Sequence, residues 1–357
     1  MNSLTTKKLK KSLVSTEFFV LVLIVLLAVF IEMQSGLFFT NNNLVDLLRS
    51  MIVPSIFALC AYLGFISTGP DVSFPLIAAL SSYIATQFVV ITGFQGSIAI
   101  VFLVAIAVGL VLGSINGFII AKYNFPSLIV TLGTSTIFSG ILLGAFEASR
   151  MELPATMADF GRQSLLAVTN AKAGIGSSLP MTFLIFVGLY IIVYFVLNHT
   201  MAGRGVFAVG GDETSAERAG FNVKLIRFGV FTVSGAIAAI AGVCYTVESL
   251  YYLPTEFAGE EMIVIAAVIL GGTRLMGGVG TLKGTILGTL LITIVTNSLI
   301  LVGIPVYWQK FFIGAIIIIG TAISVIQSHN LFKSKKSKDS KGLQNSEVVI
   351  NETAQKQ

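Results

Sequence analysis

Six polar residues could do chemistry within the apolar part of this chain, by forming a path that exchanges hydrogen bonds with a passing solute. They are Asp71, Ser73, Asn116, Thr131, Thr134 and Asn297. Their carboxylate, hydroxyl and amide groups can replace water around a hydroxyl-rich solute. Two alternatives stay open. Ser and Thr in apolar helices usually bond to their own backbone, and a carboxylate in the segment STGPDVSFP can be a turn residue at the membrane interface.

The sequence offers no arrangement suited to covalent or metal-assisted catalysis. Its two cysteines, Cys60 and Cys244, fall within apolar segments and are predicted to pack there. In GGTRLMGGVGTLKGT the residue after Lys283 is glycine and not Ser or Thr, so the P-loop pattern is absent. We therefore expect a chain that is not an enzyme, binds no metal or cofactor and does not itself hydrolyse ATP.

A polar, glycine-punctuated loop over residues 201–226 interrupts the apolar sequence and is predicted to dock another protein. Asp212 is expected to cap a short helix, and Thr214 with Glu217 has capping-box spacing. Gly220 stands where a left-handed C-terminal cap belongs. The docking candidates are Gly210, Gly211, Asp212, Glu213, Ala216 and Gly220. The alternative is a solvated connector between two membrane spans.

Long apolar segments must position these residues. Hydrophobic residues make up 55% of the 357 positions and charged residues 11%, a balance typical of membrane proteins and not of soluble domains. About ten segments approach the roughly 20 residues that a membrane span needs. We predict spans at Phe18–Gln34, Met51–Ser67, Val72–Thr92, Ser97–Ala121, Pro126–Phe146, Leu179–Asn198, Arg227–Val247, Met262–Gly272, Thr281–Val302 and Val306–Ile326. The short eighth span is either a broken helix that re-enters the membrane or one that begins near Phe257.

The distribution of basic residues predicts the orientation. With both termini in the cytoplasm, the 22 Lys and Arg residues lie inside except for Arg49, Arg150, Arg162, Lys172 and Lys310, as the positive-inside rule requires. The net charge of +5 then reflects topology and not a nucleic-acid partner. Residues 1–17 form a basic cytoplasmic N-terminus, 18–326 the membrane domain, and 327–357 a disordered tail whose lysines can contact anionic lipid headgroups.

Two further patterns concern packing and symmetry. Gly109, Gly113 and Gly117 recur every four residues, as do Gly140 with Gly144 and Gly284 with Gly288; such rows let helices approach closely in lipid. NGFIIAKYNFP, residues 116–126, is similar to NSLILVGIP, residues 297–305. The two segments end on opposite sides of the predicted membrane, so a repeat built on them would be inverted.

Three motifs in order resemble those of the membrane permeases of bacterial ATP-binding-cassette importers for simple sugars, the ribose and galactoside type, within the branched-chain amino acid and sugar permease superfamily. They are NGFIIAKYNFPSLIVTLGT, AVGGDETSAERAGFNVKLIR and LGGTRLMGGVGTLKGTILGTLL, and the similarity runs from about Gly36 to Ile326. One motif departs from the family, because TGPDVSFP at 68–75 is one residue shorter than the usual TGGIDLSVG and carries two prolines.

The resemblance implies an all-α, polytopic fold of about ten spans, similar to the type II importer permeases. It implies a path for a small hydroxylated solute, a simple sugar first. It also implies two cytoplasmic ATPase subunits that use ATP, an extracytoplasmic solute-binding protein and a second permease copy or homologue. The docking candidates would then couple the chain to the ATPase. The open alternatives are a permease for a nucleoside or another small solute and a self-sufficient carrier or channel; a membrane-embedded enzyme stands behind both.

Overall fold

A computed structural model describes residues 16–170, 175–275, 277–315 and 318. The basic N-terminus up to residue 15, the last part of the tenth predicted span and the tail at 327–357 lie outside these residues. Within them, eight helical segments are long and apolar enough to cross a membrane. The chain is therefore a mostly helical, multi-pass membrane protein, as its composition predicts.

The helices are named in chain order. They are α1 Thr16–Ser35, α2 Asn41–Ser50, α3 Ile52–Ser67, α4 Phe74–Thr92, α5 Ile98–Tyr123, α6 Ser127–Gly140, α7 Ala155–Arg162, α8 Thr182–His199, α9 Met201–Gly211, α10 Glu213–Arg218, α11 Val223–Ser249, α12 Glu260–Leu270 and α13 Leu282–Ser298. Helix α6 continues into a π-helical turn, Ile141–Ala145, and 3-10 turns lie at Pro254–Phe257, Ile300–Val302 and Val306–Trp308.

Two of the predicted spans differ from the structure. The second begins ten residues earlier, because α2 runs into α3 through Met51 and the Thr40 side chain caps α2 at the backbone N–H of Asn43. The eighth is the 11-residue helix α12, about 16 Å long, which is roughly half of a hydrocarbon core of about 30 Å. The broken-helix alternative therefore fits, with Gly259 and Gly272 at positive φ bounding the half-span.

In the described part of the chain, four short strands depart from the purely helical expectation. Strand β1, Met151–Glu152, pairs with β4, Tyr251–Tyr252, and β2, Ser164–Asn170, pairs with β3, Ile175–Pro180, both antiparallel. The segment 163–180 reads QSLLAVTNAKAGIGSSLP and has two short apolar pieces separated by a stretch that contains Asn and Gly, a pattern that favours a hairpin. These strands form two short antiparallel pairs at one end of the bundle, and the fold remains mostly helical.

Helices α3 and α11 occupy the centre of the bundle. Every residue of α3 except Pro54 is buried. Helix α11 lies against α5 at backbone distance: a Cβ on Gly109 would stand 2.3 Å from the Gly235 carbonyl oxygen, and one on Gly113 would stand 2.4 Å from that of Phe231. The glycine row of α5 thus packs helices within one chain. Gly140 and Gly144, by contrast, have nothing within 4 Å of an added Cβ.

Candidate functional site

A buried polar cluster lies at the break between α3 and α4. The Asp71 Oδ1 atom accepts hydrogen bonds from the Ser73 backbone N–H at 2.8 Å and from the Ser73 hydroxyl at 2.7 Å. The Ser234 hydroxyl of α11 donates to Asp71 Oδ2 at 3.3 Å. Asn116 of α5 donates from Nδ2 to Ser73 Oγ at 2.8 Å. The backbone N–H of Val72 donates to Thr131 Oγ1 of α6 at 3.3 Å.

We call Asp71, Ser73, Asn116, Thr131 and Ser234 the Asp71 cluster. All five side chains are almost fully buried. The chain reaches this arrangement because Gly69, at φ +132°, turns it out of α3 and Pro75 stands in the first turn of α4, where its missing N–H costs nothing. Four of the six predicted path residues therefore meet at one point.

The Asp71 carboxylate accepts hydrogen bonds from neutral groups and is not paired with a cation of the described residues. Among the described residues the two ion pairs are Arg162 with Asp159 and Arg227 with Glu213, and neither reaches Asp71. One buried acceptor in the cluster, Asn116 Oδ1, has no hydrogen-bond partner among the residues that the structure describes. The cluster ties three helices to the break, and its side chains are turned toward each other.

The remaining two predicted path residues lie elsewhere. Thr134 is buried, and its hydroxyl donates to the carbonyl oxygens of Val130 at 3.1 Å and Thr131 at 3.3 Å on its own helix. This contact matches the helix-packing alternative. Asn297, near the end of α13, lines a separate cavity of about 450 Å³.

This outer cavity, as we name it, lies between the start of α3 and the ends of α11 and α13, with α12 beside it. Its polar lining includes Arg49, Glu248, Glu256, Glu260, Thr296 and Asn297. Arg49 donates from Nη2 to the backbone oxygen of Glu248 at 3.2 Å, and the Thr182 hydroxyl donates to the Glu248 carboxylate. The charge distribution of the sequence predicts that the cavity faces outward.

At the other end of the bundle, α9 and α10 make up the predicted docking loop. Asp212 caps α10 by accepting from the Ser215 backbone N–H at 2.7 Å, and it also accepts from the Thr214 hydroxyl at 2.8 Å. Hydrogen bonds from Ser215 and Thr214 hold the pKa of the exposed Asp212 below its usual value. The expected capping box of Thr214 and Glu217 is wrong, because Asp212 is the N-cap and Thr214 lies inside the first turn.

The end of α10 has the predicted left-handed cap. Gly220, at φ +87°, donates from its N–H to the Glu217 oxygen at 2.9 Å, and Phe221 donates to the Ala216 oxygen at 3.1 Å, which is a Schellman motif. Ala216 is buried against Val209 and Val223. The helix itself has only six residues, so packing of Ala216 and the two caps hold it together.

Two contacts fix this loop to the bundle. Arg227 of α11 donates to Glu213 Oε2 at 2.7 Å and to Asn124 Oδ1, beyond the end of α5, at 2.9 Å. Gly210 lies backbone to backbone against the end of α3, where an added Cβ would stand 2.0 Å from the Ile66 oxygen and 2.7 Å from the Gly278 nitrogen. An added Cβ on Gly211 has nothing within 4 Å.

The loop between α12 and α13 also packs against the end of α3 at Ile66. The Gly278 N–H donates to the Ile66 oxygen at 3.3 Å, and an added Cβ on Gly277 would stand 2.5 Å from the Gly210 oxygen. Ile66 precedes Asp71 by five residues. The docking loop, the loop after the half-span α12 and the break that holds the Asp71 cluster are therefore in direct or nearly direct contact.

Sequence reasoning missed several residues of these sites. Ser234 lies in an apolar, small-residue helix and carries no local signal, and Arg227 is the first residue of a predicted span. Gly277 and Gly278 were visible only as part of a glycine-rich motif. Each becomes a partner only when chain segments more than a hundred residues apart, or two loops, are brought together, which one-dimensional spacing does not report.

Comparison with known proteins places the chain in a family. Residues 43–321 match the family described as branched-chain amino acid transport system / permease component, and the chain belongs to that family. It is 32% identical over 297 residues to the ribose import permease protein of Haemophilus influenzae, covering 83% of this chain and 89% of that protein. It is 32% identical to the fructose import permease protein of Rhizobium meliloti, with 85% and 83% covered.

A third relative is the D-allose transport system permease protein of Escherichia coli, 30% identical with 86% of this chain and 90% of that protein covered. No solved structure matches the chain. The family and the eight candidate spans agree with the resemblance drawn from the three motifs.

Proposed function

We propose that this chain is the permease subunit of an ATP-binding-cassette importer and forms the membrane path for a small hydroxylated solute, a simple sugar first. A cytoplasmic ATPase that uses ATP, an extracytoplasmic binding protein and a second permease copy or homologue complete the transporter. It resides in the bacterial cytoplasmic membrane with both termini inside. The names of three relatives, which import or transport ribose, fructose and allose, support a sugar.

The contact of Gly210 with Ile66 and Gly278 carries this proposal. A docking loop that merely connected two spans would not need backbone-to-backbone packing onto two other membrane segments. Because packed interfaces move as units and not as deformable springs, a push on α9 and α10 reaches the end of α3 and the loop after α12. Gly210, Gly211, Asp212, Glu213, Ala216 and Gly220 are the coupling residues in this scheme.

The Asp71 cluster has a different role in the same scheme. Asp71, Ser73, Asn116 and Thr131 fix the break after α3 to α5, α6 and α11, so a displacement of Ile66 is passed to those helices. In this scheme these four residues do not contact the solute; they hold in place the helices that form the walls of the path. Asn297 alone lines an open cavity.

Uptake into proteoliposomes tests the function. The chain is reconstituted with its ATPase and binding protein, and the accumulation of radiolabelled D-ribose, D-fructose and D-allose is followed with ATP or a non-hydrolysable analogue. We expect accumulation only with ATP and the binding protein. The control is the chain alone under an imposed proton or sodium gradient. Gradient-driven uptake by the lone chain would establish the carrier alternative instead.

A further inference from the structure

The outer cavity has the size and composition of a solute site. Its volume of about 450 Å³ lies within the range of roughly 300–1,000 Å³ found for small-molecule pockets. Phe57, Tyr245 and Phe257 provide aromatic surface beside the polar groups. Such a mixture suits a sugar-sized molecule, whose ring carries apolar C–H faces and polar hydroxyl edges.

The polar wall of the cavity holds more hydrogen-bond acceptors than donors. Thr293 and Thr296 donate their hydroxyl protons to the backbone oxygens of Thr289 at 2.9 Å and Thr293 at 3.0 Å. What each threonine can still offer the cavity is an oxygen lone pair. The Tyr245 hydroxyl likewise donates its hydrogen bond to Glu256 Oε2, at 3.1 Å. These three hydroxyls therefore act toward a ligand as acceptors.

The charged groups add to this surplus. Three carboxylates, those of Glu248, Glu256 and Glu260, line the cavity with one guanidinium, that of Arg49. Arg49 already donates to the Glu248 backbone. Among the described residues no side-chain hydrogen bond or ion pair reaches the Glu260 carboxylate. The donors left for a ligand are fewer: the Asn297 amide, the remaining N–H groups of Arg49 and the hydroxyls of Ser50 and Ser249.

We propose that the outer cavity is where this subunit receives its solute, and that it admits donor-rich molecules without an anionic group. This inference rests on the proposed function and narrows its solute class. Hydroxyl and ammonium groups donate to the unoccupied acceptors, so neutral polyols, simple sugars and amino sugars fit. Phosphate and carboxylate groups bring more acceptors and a negative charge to a wall that already holds three acidic side chains, so sugar phosphates and sugar acids are disfavoured.

Charge-selective labelling of a cysteine in the cavity tests the proposal on the purified chain. Thr296→Cys provides the target, and the native Cys60 and Cys244 are fully buried, which keeps background labelling low. In nanodiscs, the labelling rates of a cationic and an anionic methanethiosulfonate reagent are compared. The matched control is Gln95→Cys, an exposed position on the side predicted to be external.

We expect the ratio of cationic to anionic labelling rates at Thr296→Cys to exceed the control ratio by about tenfold or more, from Coulomb attraction and repulsion in a partly enclosed site. Adding Glu256→Gln and Glu260→Gln should bring the ratio close to the control value. D-Ribose and D-glucosamine at high millimolar concentration should slow labelling, and D-ribose 5-phosphate should not.

Three results would overturn the proposal. The first is a ratio of cationic to anionic labelling at Thr296→Cys equal to that of the control, the second is protection by D-ribose 5-phosphate, and the third is the absence of protection by every neutral sugar tested. These measurements need no ATPase or binding protein. Failed ATP-driven uptake with intact charge selection would therefore count against the proposed function, while normal uptake without charge selection would count only against the cavity.

Discussion

The Asp71 cluster and the outer cavity are two places within the described helical bundle where polar groups gather, and they differ in how much of their hydrogen-bonding capacity is unused. In the cluster, the Asp71 carboxylate is met by Ser73 and Ser234, and the side chains are closed to solvent. In the cavity, the Glu260 carboxylate and the amide of Asn297 border about 450 Å³ of space. Polar density alone therefore does not distinguish a site that fixes helices from one that receives a ligand; unused hydrogen-bonding capacity beside open volume does.

The largest effect should come from Asp71→Ala. The change leaves the hydroxyls of Ser73 and Ser234 buried without their acceptor, at a cost of roughly 1–3 kcal/mol for each unsatisfied group. We expect a clear fall in the thermal unfolding temperature, measured by size-exclusion chromatography after heating, together with loss of ATP-driven uptake. Glu260→Ala is the matched control in the outer cavity and should leave the unfolding temperature unchanged. Equal unfolding temperatures for the two variants would remove the distinction between the sites.

The second-largest effect should come from Gly210→Ala. This variant tests whether the docking loop is coupled to the end of α3, which leads into the Asp71 cluster. The new methyl group would collide with the Ile66 oxygen, and overpacking of this kind costs about 1–3 kcal/mol. We expect reduced uptake and reduced ATP hydrolysis stimulated by the binding protein. Gly211→Ala is the control, because an added Cβ there meets nothing within 4 Å. Loss of stimulation in both variants would show that helix content, and not the Ile66 contact, matters.

A smaller and more local effect is expected at the caps of α10. Gly220→Val places a β-branched residue at φ +87°, which such residues adopt poorly, and Asp212→Lys removes the acceptor that caps the helix. The spans and both polar sites should be untouched, so the unfolding temperature should hold. What should fall is co-purification of the ATPase and its stimulated turnover in nanodiscs. Wild-type recruitment by both variants would make the loop a connector.

The smallest effects separate two threonines of α6. Thr131→Val removes the acceptor of the Val72 N–H within the cluster, so we expect a loss of about 1 kcal/mol and slower uptake. Thr134→Val removes a hydroxyl that bonds only to carbonyl oxygens of its own helix, so we expect a loss near the lower end for one hydrogen bond, about 0.5 kcal/mol, with normal uptake. Unfolding temperature and uptake are measured for both. If Thr134→Val slows uptake as much as Thr131→Val does, Thr134 belongs to the path after all.

The sequence predicts the membrane class, most span positions and the caps of the docking loop because these follow from local rules. Apolar length reports a span, and Asp212 and Gly220 act on residues within a few positions. Of the six residues predicted for the solute path, Asp71, Ser73, Asn116 and Thr131 lie together in the structure, while their role in a path stays a prediction. The sequence could not place Asn297, because the side of a helix that faces a cavity depends on the packing of α12 and α11 around it.

Other differences have the same origin. The α12 half-span ends at glycines that pack onto α13, where a Cβ on Gly271 would stand 2.2 Å from the Gly284 oxygen, so its length is set by a tertiary contact. The predicted capping box of Thr214 and Glu217 is wrong because Asp212, two residues earlier, is the N-cap and places Thr214 inside the first turn. Ser234 joined the cluster from more than a hundred residues away, beyond any spacing rule.

The triangle of Glu213, Arg227 and Asn124 bears on how such a subunit can be rewired. Engineers who exchange docking loops between permeases to change the ATPase partner would naturally cut at the loop ends, near residues 201 and 222. That graft leaves Arg227 and Asn124 behind in the donor chain, and the incoming Glu213 then faces whatever the host carries at those two positions. A transferable module therefore consists of the loop plus Arg227 of α11 and Asn124 just beyond the end of α5, and chimeras that carry all three members should assemble where loop-only chimeras do not.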